Sequence, residues 1–357
     1  MNPGTDPDSD RVRRPNGGRS SNVTMRDVAE LADVSIATVS LVVNNKKRER
    51  IGEETRARVL EAVAELGYRP NALAQSLVSG QSPFIGMVAD AIASLPFAGQ
   101  ILRGAQEEAW RNGYVLLVAD TDHAPDITAE AIKMMIDHQA VGVLFSTWYH
   151  REVQAPPLLA SLPAVFVNCI PQTPEAVSVV PDEVQGGRLA TDMLLDRGHT
   201  RVAFINSTEE APSTVGRLAG YRKALAARDI AFDPDLVLPI FPERVDGFQE
   251  AGYEAGNELL ARTERPTAVF CYNDRVAMGL YEAVKEHGLT IPGDMAVIGF
   301  DDQEVIAAHL RPTLTTIALP HYEIGARSVR ALLNRVEGAE RGHVQRVDCP
   351  AVVRTSI

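Results

Sequence analysis

Two periodicities divide the chain. From Thr24 to Leu77 apolar residues recur at helical spacing. Val28 and Leu31 share one face, Val34 falls in a short joint, and Val39, Val42 and Val43 continue a second face. A third amphipathic helix is predicted from about Glu53 to Leu66, with Val59, Leu60, Val63 and Leu66 inward. Thr24 and Asp27 are spaced for a variant of the capping box, and Ser35 can cap the second helix. Two short helices joined by a tight Ala-Asp-Val turn predict a helix-turn-helix, whose second helix enters a DNA major groove N-terminus first. From Pro83 onward the pattern changes. Apolar runs (FIGMVAD, YVLLVAD, VGVLFST, AVFVN, RVAFIN, AVFCYND, AVIGFDD) alternate with amphipathic stretches such as ILRGAQEEAWRNG and RVAMGLYEAVKEHG. Continuous apolar strands separated by helices predict parallel sheets covered on both faces. The alternation runs twice, from Phe84 to Val167 and from Arg201 to Phe300. The fold class expected is α/β, with two doubly wound lobes and a cleft between them.

Composition narrows this picture. A chain of 357 residues with 45% hydrophobic content suggests two or three domains with ample core. It has no run of eighteen apolar residues and its polar first 21 residues lack a signal-peptide core, so a cytoplasmic protein without membrane association is expected. Cys169, Cys271 and Cys349 are far apart and odd in number, and read as buried thiols, with no metal site or cofactor expected. The net charge of −12 is uneven: residues 1–80 carry net +1 and residues 81–357 net −13. A near-neutral head binds non-matching DNA weakly, because phosphate attraction supplies most non-specific affinity. Two basic runs, Arg11/Arg13/Arg14/Arg19 and Lys46/Lys47/Arg48/Arg50, partly offset this; each also reads as a solvated loop.

The stretches DVAELADVSIATVS and EETRARVLEAVAELGYRPNALAQSL occur together and in order, and they resemble the DNA-binding headpiece of the lactose/galactose repressor (LacI/GalR) family. LRGAQEEAWRNGY, RLATDMLLDRGH, GRLAGYRKAL, YNDRVAMG, AVIGFDD and LRPTLTTIALPHYEIG resemble the effector-binding domain of the same family, itself similar to periplasmic sugar-binding proteins. The resemblance covers nearly all of residues 22–357. With the composition it implies a disordered tail over 1–21, a headpiece over 22–70, a hinge helix and linker over 71–82, and an effector-binding domain over 83–357. Within that domain the N-lobe spans about 83–178 and 318–338, and the C-lobe about 179–317 and 339–357. TLTTIALP would cross back to the first lobe, Tyr322 to Val336 would be a helix of that lobe, and the final strand RVDCPAVVR would belong to the second.

Positions carried over from the family give candidate DNA contacts. Ile36 and Ala37 sit where members read base edges, and Leu41 sits where many carry an Arg. Leu cannot make the bidentate contact to guanine, so these three are left to touch thymine methyls or fill space, and a standard family operator is not expected at those base pairs. Ser35, Thr38 and Ser40 read as phosphate contacts or caps, and Thr24, Asn44, Asn71 and Ala74 complete the set. Asp33 stands where Gly is common, and Asp tolerates a left-handed conformation. Asn71 to Val78 would form a short helix, marginal alone. The resemblance implies that it folds on DNA as a symmetric pair in the minor groove, with Leu77 as the wedge between base steps. Without it, Leu73 and Leu77 read as one apolar stripe.

Open α/β sheets bind ligands beyond the carboxyl ends of their strands. Asp301 follows AVIGF, Asn273 and Asp274 follow AVFCY, Asn168 follows AVFV, Asp90 follows IGMVA, and Arg217 begins the helix RLAGYRKAL. A cleft holding Arg217 opposite Asp301 offers donors and acceptors for vicinal hydroxyls, the chemistry a sugar requires. The resemblance implies that Arg217, Asp301 and Asn273 contact the effector; a structural ion pair and a strand-end turn are the competing readings. Asn168 takes a position often held by Asp. The loop ADAIASLPFAG departs from the family, with Leu95 and Ala98 at positions where Asn and an aromatic are common, yet Ser94, Phe97 and Gln100 can line the cleft. Trp148 and Tyr149 end another strand, and either Phe241 or Phe248 is an aromatic stacker from the second lobe.

The function expected is therefore a sequence-specific transcriptional repressor, acting as a homodimer on a palindromic double-stranded operator and controlled by a small-molecule effector, a sugar or sugar derivative. A solute-binding module without a regulatory role is the alternative; it requires export. An enzyme is not expected: there is no G-x-S-x-G, phosphate-cradling Gly loop, H-E-x-x-H or Cys/His metal spacing. Asp301 and Asp302, adjacent after a strand, point apart and make a poor glycosidase pair. With no heptad repeat after the last strand, a tetramer is disfavoured.

Overall fold

The computed structural model describes residues 23–43, 51–68, 83–90, 99–122, 124–173, 175–241, 247–338 and 342–357. The chain divides into two compact units, the first ending at Gly80 and the second running from Gln81 to Ile357.

In the first unit α1 (Met25–Ala32), α2 (Ile36–Val43) and α3 (Glu53–Leu66) surround a core of Val28, Ala29, Ala32, Val39, Val42, Val59, Ala62 and Tyr68. Thr24 caps α1 reciprocally with Asp27, whose carboxylate accepts from the Thr24 N–H at 2.7 Å. Asp33 closes α1 at φ 50°, the left-handed conformation that the tight turn demands. Ser35 Oγ accepts from the Thr38 N–H at 3.1 Å and caps α2. Two side chains depart from their expected faces: Leu31, read on the face of Val28, is 47% exposed, and Leu60, read inward, is 49% exposed. At ~100° per residue, the face set by Val28, Ala29 and Ala32 leaves Leu31 more than ~100° off its centre, and Leu60 stands equally far from the face of Val59, Ala62 and Val63. Valines, small alanines and Tyr68 fill the tight three-helix core, and Leu66 packs against it.

The second unit contains two six-stranded sheets. The first is built from β1 (Phe84–Asp90), β2 (Val115–Asp120), β3 (Val143–Val153), β4 (Ala164–Pro171), β5 (Val177–Pro181) and β11 (Val344–Val347), in the order β11-β5-β4-β3-β1-β2. The second is built from β6 (Val202–Ser207), β7 (Val237–Ile240), β8 (Ala268–Cys271), β9 (Ala296–Asp301), β10 (Thr315–Ala318) and β12 (Ala351–Val352), in the order β12-β10-β9-β8-β6-β7. All pairings are parallel except that of β12 with β10. The helices are α4 (Gly99–Arg111), α5 (Pro125–Asp137), α6 (Glu183–Leu195), α7 (Pro212–Ala226), α8 (Phe248–Leu260), α9 (Asp274–Glu286), the short α10 (Glu304–Ala307) and α11 (His321–Val336). Buried apolar side chains fill both faces of each sheet, as continuous apolar strands require.

The chain crosses between the sheets after β5, after β10, and again near its end. After β10, α11 packs on α4 and against β4 and β5. The last crossing corrects an expectation. RVDCPAVVR is not one strand of the second lobe: Val344–Val347 pairs with β5 at the edge of the first sheet, and only Ala351–Val352 joins the second. Pro350 lacks a backbone N–H, and the chain changes sheets around it. The three cysteines are buried free thiols.

Candidate functional site

On the first unit, α2 presents Ile36, half exposed, and an exposed Ala37 at its N-terminal end, with Leu41 partly buried one turn on. Ser35 and Thr38 are tied to each other, their hydroxyls 2.9 Å apart, so the Ser35 side chain already serves as a cap. Thr24 is likewise engaged with Asp27, and Ser40 is partly buried on the same helix. Asn44, Asn71, Ala74 and Leu77 lie outside the described residues.

The second unit holds a cavity of about 160 Å³ between the carboxyl ends of the two sheets. Its centre is set by the crossing of α6 and α7. A Cβ at Gly187 would strike the Arg217 backbone, one at Gly220 would strike Val184 and Arg188, and one at Gly216 would strike the Glu183 Cβ. With hydrogen at those positions the two helices approach closely, and Glu183 meets Arg217: Nε donates to Oε2 at 2.8 Å. Arg217 also donates to the Tyr272 carbonyl, lies 3.6 Å from the Asp301 carboxylate, and is stacked 3.7 Å from the Phe300 ring centroid and 4.7 Å from that of Tyr272. α7 starts at Pro212, so Arg217 sits in its second turn and not at its start as the sequence suggested.

The electrostatics follow from this geometry. Burial alone would raise the Glu183 carboxyl, but Arg217 and a hydrogen bond from His150 outweigh it and hold it at about 2. Burial likewise disfavours charge on Arg217, yet Glu183 and Asp301 keep its pKa above the ordinary range. Asp301 is pushed up to about 6 by burial, with Arg217 and Gln303 opposing. Glu183 thus takes most of the cation's field, and Asp301 is the more weakly held carboxylate.

The sequence candidates divide. Arg217, Asp301, Asn273 and Asn168 all line the cavity. Asn273 is also the N-cap of α9, its side-chain oxygen accepting from the Val276 N–H at 3.0 Å, so its strand-end role and its place in the cleft coexist. Asn168 takes φ 59° and donates to the Thr147 carbonyl at 3.2 Å. Asp301 accepts from Gln303 at 3.0 Å while Asp302 accepts from Arg354 at 2.7 Å, so the adjacent carboxylates do diverge. Asp274 turns inward, accepting from Thr316 Oγ1 and the Gln303 N–H at 2.6 Å each, and holds α9 to the sheet. Asp90 does not line the cavity; it is buried at the end of β1 and ion-paired with Arg151. Ser94 and Phe97 lie outside the described residues, and Gln100 is exposed on α4. Trp148 and Tyr149 line the cavity, though β3 continues beyond them to Val153. The register shift between Ser146 and Arg151 re-aims these residues. Phe248, stacked on Tyr272 with centroids 5.7 Å apart, lines the cavity, whereas Phe241 does not.

Sequence reasoning missed Glu183, His150, Ser213, Tyr272 and Gln303. Glu183 follows β5, a five-residue strand; recognising VSVVP as a strand would have placed Glu183 at a carboxyl end beside the others.

Two family models match the chain: bacterial regulatory proteins of the lacI family over residues 24–71, and a periplasmic binding protein-like domain over residues 191–357. The HTH-type transcriptional repressor PurR of Vibrio campbellii is 33% identical over 327 residues, covering 91% of this chain and 94% of that protein. The ribose operon repressor of Haemophilus influenzae is 33% identical over 335 residues, covering 94% and 98%. Among solved structures, the lac repressor dimer bound to operator and the anti-inducer ONPF matches with a TM-score of 0.76 at 28% identity, over 94% of this chain and 98% of that one. One-third identity to full-length repressors along nine-tenths of the chain, together with the headpiece and the two-sheet unit, makes this protein a member of the lacI family of bacterial regulatory proteins.

Proposed function

We propose that the chain is a sequence-specific transcriptional repressor of the cytoplasm. In this reading a homodimer binds a palindromic operator through residues 22–70 and a hinge helix over 71–82, and a sugar or sugar derivative binds in the cleft of residues 83–357. The observation that carries the effector reading is the cleft itself. Asp301 offers a carboxylate only loosely held by Arg217, Asn168 and Asn273 stand beside it, and Trp148, Tyr149 and Phe248 supply faces on which a ring can stack. The lining comes from both sheets, so a ligand bridging them favours one lobe arrangement, and operator affinity changes through that coupling free energy.

Dimerisation is supported by an apolar face on the first sheet. Its edge strand β2 exposes Val115, Leu117 and Val118 at 44–45%, and α5 beside it exposes Ile127 and Met134 at 55% and 56%. Between them lies a groove lined by Leu117, Val118, Ile127 and Met134. A second copy of the chain is its occupant in this reading, since an unprotected apolar edge strand invites pairing.

The test is selection of bound duplexes from random DNA with the purified protein, repeated with a panel of sugars and nucleosides. The reading expects a palindromic consensus whose recovery changes with one ligand, and a guanine preference gained at one position by Leu41→Arg. Folded dimeric protein that enriches no sequence under any condition refutes the regulatory role and favours a solute-binding module.

A further inference from the structure

The cleft contains a side chain that the effector reading above does not use. His150 lies on β3, in the first sheet, at the register shift that also turns Trp148 and Tyr149 toward the cavity. Its residue exposure is 7%, and its Nδ1 is 3.3 Å from Oε1 of Glu183, which belongs to α6 on the second sheet. Nε2 is buried and has no hydrogen-bond partner among the described residues.

The tautomer of the neutral ring follows from its partner. Glu183 is ionised and accepts only; one of its oxygens takes the Arg217 Nε–H, and the other faces His150. A bare Nδ1 lone pair against that oxygen would be repulsive, so Nδ1 carries the proton and donates it. In the neutral imidazole Nε2 then bears the lone pair. A buried acceptor with no donor is unfavourable, and in folded proteins such groups are met by a partner as a rule. Here the imidazole lines a cavity whose polar lining also includes Asp301, Asn168, Asn273, Arg217, Arg275 and His321.

We infer that His150 is an effector-reading residue: with Nδ1–H committed to Glu183, its Nε2 accepts a hydrogen bond from a hydroxyl or N–H donor that the bound effector presents to the first lobe. The inference rests on the cleft being the effector site, and it narrows the ligand. Asp301 and His150 are both acceptors, one on each lobe, so an effector with donors on two opposite edges can meet both. A polyol or an aminated ring has donors so placed; a ligand with acceptors alone leaves His150 unmet.

Two substitutions separate ligand reading from mere linkage of the lobes. In His150→Asn the amide occupies the place of Nδ1 and can still donate to Glu183, but nothing stands where Nε2 was. In His150→Gln the longer amide reaches the place of Nε2. The probe is whichever of D-ribose, D-glucose, D-galactose, D-xylose, adenosine or guanosine binds the full-length wild-type protein most tightly by calorimetry. His150→Asn is expected to bind it about tenfold more weakly or worse, with its unliganded melting temperature within about 2 °C of wild type. His150→Gln is expected to keep most of the affinity. Equal affinity of His150→Asn and wild type overturns the inference. So does the reverse order, with His150→Gln weakened and His150→Asn intact, which would mark the link to Glu183 as the residue's role. A panel of which no member binds wild type instead removes the effector reading on which the inference stands.

Discussion

Replacing Arg217 with Met tests whether the cleft is held open by a buried ion pair. Arg217 is 3% exposed, and its guanidinium serves Glu183, the Tyr272 carbonyl and Asp301 at once. Holding Glu183 at about 2 against its ordinary 4.5 corresponds to about 3 kcal/mol in favour of its ionised form. Removing one partner of a buried pair typically costs about 3–5 kcal/mol, because the other charge is left uncompensated. For a unit of this size that lowers the melting temperature at pH 7 by about 5–9 °C. The pH dependence should invert. In the wild type, the lowered carboxyl contributes stability that is present above pH 4.5 and lost as pH falls towards 2. In Arg217→Met, burial with no cation raises that carboxyl, so the variant gains stability relative to its own neutral value as pH falls. Substituting both residues, as Arg217→Met with Glu183→Leu, removes the stranded charge and should recover most of the loss, a coupling that a double-mutant cycle reads directly. Both variants should keep operator binding, which belongs to the other compact unit, and lose the effector response. Melting of Arg217→Met within about 1 °C of wild type, or strictly additive losses in the double variant, would refute the argument.

Other consequences are as direct. Asp301 is raised to about 6, so in the folded protein it binds more protons than the unfolded chain between pH 3.8 and 6, and its contribution to stability declines as pH rises through that window. Asp301→Asn should therefore raise stability at pH 7 by up to about 3 kcal/mol while abolishing effector binding; a destabilised variant would show that Arg217 needs this carboxylate more than burial penalises it. Ser35→Ala removes the cap to Thr38 and should destabilise the headpiece by about 1 kcal/mol, read from the first unfolding transition by circular dichroism, with weaker operator binding following; an unchanged transition would discard the cap. Leu117→Asp together with Met134→Glu should leave monomers in sedimentation velocity and abolish operator binding, whereas an intact dimer would exclude the β2–α5 face as the contact.

The headpiece was legible because its information is local. The Thr24–Asp27 capping box, the left-handed Asp33 and the cap at Ser35 each span four residues or fewer, and α3 runs over the range its periodicity predicts. The long apolar strands were legible for a similar reason: burial on both faces writes continuous apolar runs into β1, β4, β6 and β9. Periodicity is weaker evidence for strands of five residues or fewer: β5 and β7 passed unread, and β11 was merged with β12 into one final strand. Only the tertiary structure decided that Val344–Val347 joins the first sheet, because sheet membership depends on which edge is open and not on the strand's own residues. It also turned Asp274 and Asp302 away from the cleft, leaving Asn273 and Asp301, the two that the family resemblance named, on its wall. The partner of Arg217 was expected to be Asp301; the tighter one is Glu183, 34 residues earlier in the chain. Sequence alone determined the elements, their order and the family chemistry, since those follow from spacing along one chain. The site's charge balance waited on the crossing of α6 and α7, where glycines let two helices approach closely enough for a cation to choose its anion.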